Sequence, residues 1–283
     1  WILHNISSGF SPKPAYTLYT NDEMDPITFE VPNLQVSYNG NGTAWMVKDV
    51  RPGVSASHPH DFTAMGNMVF FSAFSDDQNA NEELWKTDGT ASGTVRVKDI
   101  NPGSDDSFPQ QLAVVGNTLY FAADDGTHGL ELWKSDGTEA GTVMVKDINS
   151  GSAGSATSNL VAFNNELYFS AKGDVTHGKE LWKSDGTESG TVMVKDINSG
   201  SDDSAPDDLT VFNNEFYFSA SDGLGGSGGG KGNELWKSDG TANGTVMVKD
   251  INVGNHASPQ QFTIVGNTLF FTANDDTHGK ELW

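Results

Sequence analysis

Residues Glu131-Leu132-Trp133-Lys134-Ser135-Asp136-Gly137-Thr138 decide the fold, because the chain keeps returning to them. Glu-Leu-Trp stands at 83–85, 131–133, 180–182, 234–236 and 281–283, at intervals of 48, 49, 54 and 47 residues. The text between the markers is shared as well, as in residues 183–187, 190–197 and 213–220. Self-similarity at a period of a few tens of residues is the mark of solenoids, propellers and related arrays, in which each unit is one supersecondary structure stacked on the next.

Each unit contains four short runs rich in β-branched and aromatic residues, separated by Gly, Asn, Asp and Pro. In the unit around the quoted stretch the runs are A (112–115), B (119–123), C (131–134) and D (142–148). Gly116-Asn117 joins A to B, and Asp136-Gly137 opens the C-to-D turn, where glycine supplies the positive φ of a tight hairpin. Four antiparallel strands in a unit of this length describe a propeller blade. No long amphipathic helical pattern intervenes, which argues against a parallel sheet wrapped by helices. A stacked β-solenoid is the competing architecture, and it needs capped ends.

This chain reads instead as one that closes on itself. The last unit has runs A (262–265), B (269–273) and C (281–283) but no D, while the first residues align with D-strand text, Ile6, Ser8 and Gly9 matching outright. The expectation is an all-β, six-bladed β-propeller spanning 1–283 as a single domain. Residues 1–8 would be the closing strand, paired through residues 1–6 with 281–283; closure removes exposed sheet edges. Residues 10–50 form a divergent blade with strands at 16–20, 27–31, 34–38 and 44–50. Repeat blades follow at 51–100, 101–148, 149–197 and 198–251, with the last at 252–283. If the divergent stretch is an appendage, the ring has five blades.

The marker at 131–138, 180–187 and 234–241, with 83–90 differing only by Thr87, resembles the ELWxxDGT repeat proteins of bacteria. The resemblance runs across residues 43–283 and implies a secreted or surface-displayed propeller array, mostly without assigned biochemistry.

Composition narrows the partners. With 16 Lys+Arg against 38 Asp+Glu, the formal net charge is −22, which repels phosphate backbones and anionic lipid surfaces and favours cations. Nucleic acid and membrane insertion are therefore not expected, and no stretch approaches the roughly 18 apolar residues of a spanning helix. There is no cysteine, hence no disulfide framework and no thiolate metal site. The start at Trp1, without a leader pattern, and the stop at Trp283 read as the edges of a larger protein.

Within a repeat, scaffold and site can be told apart. Trp85, Trp133, Trp182, Trp236 and Trp283 are expected to fill the wedge between blades rather than to stack on sugars. Asp88, Asp136, Asp185 and Asp239 are expected as turn residues that accept neighbouring N–H groups. The Thr-His-Gly copies at 127–129, 176–178 and 277–279 sit in separate blades and cannot readily converge on one zinc ion.

A-to-B and C-to-D turns lie at one end of the blades and are short and repeated. B-to-C and D-to-A loops lie at the other end and are longer, varied and rich in Asp, His and Ser, as functional loops on a rigid scaffold tend to be. Candidate ligand contacts at that end are His58, His60, Asp61, Gln111, Asn159, Asp208 and Gln261. Candidate calcium ligands are Asp99, Asn101 and Asp105, and Asp196, Asn198 and Asp202. They place oxygen donors at positions one, three and seven, a spacing that resembles the first half of a calcium loop but lacks its terminal bidentate Glu.

No known catalytic motif is present. The Gly-rich loop 223–232 lies between strands B and C without a helix, so it is a linker and not a phosphate cradle. The expected function is an extracellular or cell-surface binding or adhesion module that recognises a glycan or surface protein through its acidic loop-rich face, with calcium assisting. The alternatives are a polysaccharide-processing lyase or hydrolase using His58, His60 and Asp61, and a structural spacer in a large surface protein.

Overall fold

The computed structural model of the chain describes residues 2–5, 16–19, 27–29, 46–75, 81–103, 105–223 and 232–283. Among these there is no helix. β1 (Ile2–Asn5), β2 (Tyr16–Tyr19) and β3 (Ile27–Phe29) form a three-stranded sheet. The second sheet holds β4 (His60–Met65), β5 (Met68–Phe74), β6 (Glu82–Thr87) and β7 (Val95–Arg96). The third holds β8 (Gln110–Val115), β9 (Thr118–Asp124), β10 (Leu130–Ser135) and β11 (Val143–Lys146). The fourth holds β12 (Ser158–Phe163), β13 (Glu166–Lys172), β14 (Lys179–Ser184) and β15 (Val192–Lys195). In the fifth are β16 (Asp207–Phe212), β17 (Glu215–Ser221), β18 (Asn233–Ser238) and β19 (Val246–Lys249). The last has β20 (Gln260–Val265), β21 (Thr268–Asn274) and β22 (Lys280–Leu282).

Every sheet from the second on is an antiparallel meander in chain order, as the A–B–C–D reading requires. Its first strands β4, β8, β12, β16 and β20 lie side by side in succession. They are therefore the inner strands of a propeller-like array, with later strands stepping outward. The two-residue A-to-B turns follow from residues that tolerate positive φ: Asn164 and Asn165 are at 49° and 63°, the paired left-handed values of a type I′ hairpin.

The core lies between sheets. Phe70, Leu84 and Val97 of the second sheet pack against Leu119, Phe121 and Trp133 of the third. Tyr120, Leu132 and Val145 then meet Leu167, Phe169 and Trp182 of the fourth. The marker tryptophans Trp85, Trp133, Trp182 and Trp236 are buried here, as expected of wedge fillers.

Polar contacts lock the same interfaces. Lys134 Nζ donates to the Gly186 carbonyl at 2.7 Å, and Lys146 Nζ donates to the Thr191 carbonyl at 2.9 Å. Lys146 also stands 5.9 Å from the centre of the Trp182 ring, within cation–π range. Lys98 repeats that pose over Trp133, and Lys195 over Trp236.

Two expectations are not seen among the described residues. The first concerns closure by residues 1–6 on 281–283. Instead Ile2–Asn5 pairs antiparallel with Tyr16–Tyr19, Ile2 opposite Tyr19, and β22 has only β21 as partner among the described residues. A neighbouring strand closes a short loop, whereas the far terminus closes nearly the whole chain at a greater entropic cost. Residues 1 and 6 lie outside the described residues.

The second concerns the strand expected at 44–50, since Met46–Val50 is not extended into a ladder. Its expected neighbour, 34–38, lies outside the described residues, as does most of the Gly-rich loop (224–231). Lys48 nonetheless keeps the repeat's lock, with Nζ 2.7 Å from the Thr94 carbonyl and 5.9 Å from the Trp85 ring centre.

Candidate functional site at the inner mouth

Each inner strand carries a β-bulge at its loop-end start. The register slips between His60 and Thr63, Gln110 and Ala113, Ser158 and Val161, Asp207 and Thr210, and Gln260 and Thr263. Inside each bulge one residue takes the left-handed conformation: Asp61 (54°), Gln111 (60°), Asn159 (57°), Asp208 (56°) and Gln261 (60°). For a residue with a Cβ this costs on the order of 1 kcal/mol or more. Bulges re-aim side chains, and here they join Asp61, Gln111 and Asn159 in one run of contacts and Asp208 and Gln261 in another.

Asp61 Oδ2 accepts the Gln111 N–H at 3.2 Å, and Gln111 Oε1 accepts the Asn159 N–H at 3.0 Å. Asn159 Nδ2 donates to the Pro206 carbonyl at 3.3 Å, and Asp208 Oδ2 accepts the Gln261 N–H at 3.0 Å. Five of the seven ligand candidates are thus assembled across five consecutive sheets. Beside them lies an open cavity of about 280 Å³ lined by Asp61, Phe62, Thr63, Gln111, Leu112 and Leu160. Phe62 is 59 % exposed, and its ring stacks on Phe71 with centres 5.6 Å apart.

The two histidines part company. His58 is exposed and meets Phe74 edge-on at 6.2 Å. His60 Nε2 contacts Glu82 Oε1 at 2.6 Å, and the buried Ser72 hydroxyl donates to the same oxygen at 2.6 Å. His60 Nδ1 is 3.9 Å from Asp61 Oδ1. Glu82 was not singled out from sequence, although the signal is there: its counterparts are Leu130, Lys179, Asn233 and Lys280, and those of His60 are Gln110, Ser158, Asp207 and Gln260. Two departures from the repeat meet in one contact.

The D-to-A loops are clamped by the glutamate of the marker, another residue that sequence reasoning passed over. Glu180 is fully buried and accepts the Ile197 and Ser204 N–H groups and the Ser204 hydroxyl. Glu83 receives Ile100, Asn101 and Ser107 in the same manner. Burial pushes the Glu83, Glu180 and Glu234 carboxyls up to about 7 despite these donors.

Around the clamp sit the candidate calcium ligands. Asn101 and Asn198 turn their Nδ2 groups inward, donating to the carbonyls of Asp106 and Asp203 at 3.1 Å each. Asp99 Oδ1 accepts from Asn81 Nδ2 at 3.2 Å and lies 3.7 Å from Arg96 Nη1. Asp196 Oδ2 accepts the Gly200 N–H at 3.3 Å. Asp105 and Asp202 are exposed. Among the described residues, no three His, Asp or Glu side chains gather closely enough to hold a metal ion by themselves.

The opposite end behaves as scaffold. Asp136 Oδ1 accepts the Thr138 N–H at 2.8 Å and its hydroxyl at 2.7 Å, contacts that hold this carboxyl below its usual range. A Cβ on Gly141 would overlap the same carboxylate, and one on Gly186 would overlap the Tyr120 hydroxyl of the preceding sheet. Those glycines are fixed by close approach. The Thr-His-Gly histidines are held within their own loops: His128 Nδ1 lies 2.8 Å from Asp125 and His278 Nδ1 2.9 Å from Asp275.

No family model and no curated protein matches the chain. Solved structures do. Puromycin hydrolase aligns at a TM-score of 0.54 and 14 % identity, over 95 % of this chain and 41 % of that chain. A prolyl endopeptidase aligns at 0.52 and 11 %, over 96 % and 40 %. A puromycin-hydrolysing peptidase of Mycobacterium tuberculosis aligns at 0.51 and 10 %, over 77 % and 36 %. The chain spans less than half the length of each, and at such identity the likeness is one of fold.

Proposed function

We propose that the protein is a binding module of the secreted or cell-surface class implied by its repeat, with six blades if β1–β3 is counted as the divergent one. The inner mouth of the loop end recognises a glycan, and calcium orders the surrounding loops. The observation that supports this reading is where near-identical units differ. The marker, the turns and the interface residues repeat almost letter for letter, whereas the bulge positions run Asp61, Gln111, Asn159, Asp208 and Gln261. A purely structural bulge would tolerate one residue throughout; three kinds of hydrogen-bonding group, Asp, Gln and Asn, distributed over five sheets make an asymmetric recognition surface.

Amide and carboxylate groups gathered at one mouth suit a hydroxyl-rich ligand. A glycan array probed with the wild type and with Gln111→Ala tests the reading. Binding that Gln111→Ala abolishes supports it, and the absence of any glycan ligand overturns it.

One contact favours the second reading, a polysaccharide-processing enzyme. A buried carboxylate on His60 fixes the ring's orientation, with Asp61 alongside. Turnover of a polysaccharide by the wild type, lost in both His60→Ala and Glu82→Gln, would establish the enzyme in place of the binding module.

A further inference from the structure

We infer that Phe108 is a stacking platform for a second sugar beside the inner mouth, so that the ligand is a neutral oligosaccharide; the inference rests on the mouth being a glycan site. Phe108 lies three residues before the bulge residue Gln111, about 10 Å of chain at full extension. A single sugar ring is too small to touch both places, and two linked rings are long enough.

The backbone at this position is built alike in five sheets. His58, Phe108, Ala156, Ala205 and Ser258 all take left-handed φ, between 42° and 49°. All but Ala156 precede a proline, a combination that is costly for a residue with a Cβ and most so for a bulky one. Around Phe108 the chain is pinned. Both neighbours, Ser107 and Pro109, are buried. The Ser107 N–H donates to the Glu82 carbonyl at 3.0 Å, its carbonyl accepts the Asp124 N–H at 2.9 Å, and its hydroxyl donates to Glu83 at 2.7 Å. The backbone is held while the side chain faces outward.

Folding accounts for the small residues at this position and not for the ring. Ala156, Ala205 and Ser258 show that the fold asks for no bulk there, yet Phe108 carries a ring that is 49 % exposed. Phe62, by contrast, stacks on Phe71, and no ring among the described residues covers Phe108 in that way. The other ring at the position, the exposed His58, stands on the adjacent sheet. Both departures therefore fall on the second and third sheets, the two that bring Asp61 and Gln111 to the cavity. A rigidly held ring near a row of amide and carboxylate groups suits a sugar chain, with a C–H face on the ring and hydroxyls on the polar groups. Among the described residues no Lys or Arg lines the cavity, and a chain charge of −22 repels uronate and sulfated sugars.

The test measures glucose, mannose, galactose and xylose and short neutral oligomers of each, on an array and then by calorimetry. The proteins are the wild type, Phe108→Ala, Phe108→Tyr and Ser258→Ala. Alanine already stands at this position in two sheets, so Phe108→Ala should keep the wild-type melting temperature. Wild-type affinity should rise from single sugar to oligomer, and Phe108→Ala should weaken oligomer binding by about tenfold. Phe108→Tyr, which keeps a ring, should retain the rise, and Ser258→Ala should match wild type. Oligomers bound equally well by Phe108→Ala overturn the inference while leaving the glycan reading intact. A fall in melting temperature that accompanies the loss in Phe108→Ala, or an equal loss in Ser258→Ala, makes the position structural and also overturns it. Failure of every sugar to bind the wild type overturns the glycan reading itself.

Discussion

The two ends of each sheet are built from the same repeat under opposite constraints. At the turn end Asp136, Thr138 and Gly141 form one hydrogen-bonded knot, and Gly186 lies against the ring of Tyr120; none of these residues can change without moving backbone or a neighbouring sheet. At the loop end the bulge imposes a backbone shape and leaves the side chain free, so Asp61, Gln111 and Asn159 can differ while playing one role. Variation is tolerated where only φ is fixed, and that is where recognition can be written.

The residue that holds the loop end in place is the buried glutamate, and removing it gives the largest expected effect. Glu180→Ala leaves the Ile197 and Ser204 donors unpaired beneath the loop, and each buried orphan costs about 1–3 kcal/mol. We expect a loss of several kcal/mol by chemical denaturation, with the fourth-to-fifth loop exchanging amide hydrogens faster. Stability within about 0.5 kcal/mol of wild type would mean that the clamp is not structural.

Gly141→Ala should come next. Its Cβ has no room beside the Asp136 carboxylate, and forced overpacking costs about 1–3 kcal/mol. Glycan binding by the folded variant should be unaffected, since the mouth lies at the other end. Weakened binding at full occupancy of the folded state would break the division between scaffold and site.

Much of this division was legible in the letters. The repeat interval, the four strands, the Asp-Gly-Thr turn and the wedge tryptophans follow from local propensity and from the need to cover two sheet faces, both of which are written in each unit. What stayed hidden depends on contacts between strands. The chain of bonds from Asp61 to Gln111 to Asn159 exists only because each bulge shifts register, and bulges leave no mark in residue periodicity. Glu82 meets His60 across an intervening strand, so neither residue alone signals the pair. The marker glutamate was read as a strand residue because a fully buried carboxylate is rare, and only the loop donors above it explain its burial. The partner of the first strand was hidden as well, because similarity to D-strand text carries no information about which strand is nearer.

Titration offers a finer test of the same glutamates. Their folded carboxyls stand at about 7 in Glu83, Glu180 and Glu234, against an ordinary value near 4.5. Between those values the folded state binds more protons than the unfolded one, so stability falls as pH rises from about 4.5 to about 7. Asp174 and Asp275, held down to about 2 by Thr176 and His278, act oppositely, losing their contribution only as pH drops below the usual carboxylate range. The melting temperature should therefore be higher near pH 5 than near pH 8. General relief of net negative charge acts in the same direction, so the decisive quantity is the difference between proteins: Glu180→Gln should flatten the rise. An unchanged slope would sink the assignment to the clamp.

Calcium should give the smallest effect, and an uneven one. With no three acidic or imidazole groups gathered among the described residues, any calcium in the D-to-A loops must draw largely on backbone carbonyls and water, which suits the millimolar affinities of extracellular modules. Occupancy at such concentrations raises the melting temperature only modestly, through mass action on the folded state. The two candidate loops are not equivalent, however. Asp99 already has a cation beside it in Arg96, at 3.7 Å, whereas the residue matching Arg96 in the fourth sheet is Met193. A resident guanidinium relieves the charge that calcium would otherwise relieve, so Asp196→Ala should remove more of the calcium-dependent shift than Asp99→Ala, and Asp136→Ala at the turn end should remove none. Scanning calorimetry with calcium, with magnesium and with a chelator separates these outcomes. Magnesium should do less, because it requires a tighter octahedral shell. Equal losses from all three aspartate variants would reduce the effect to general screening, and the loop end would then owe its order to the buried glutamates alone.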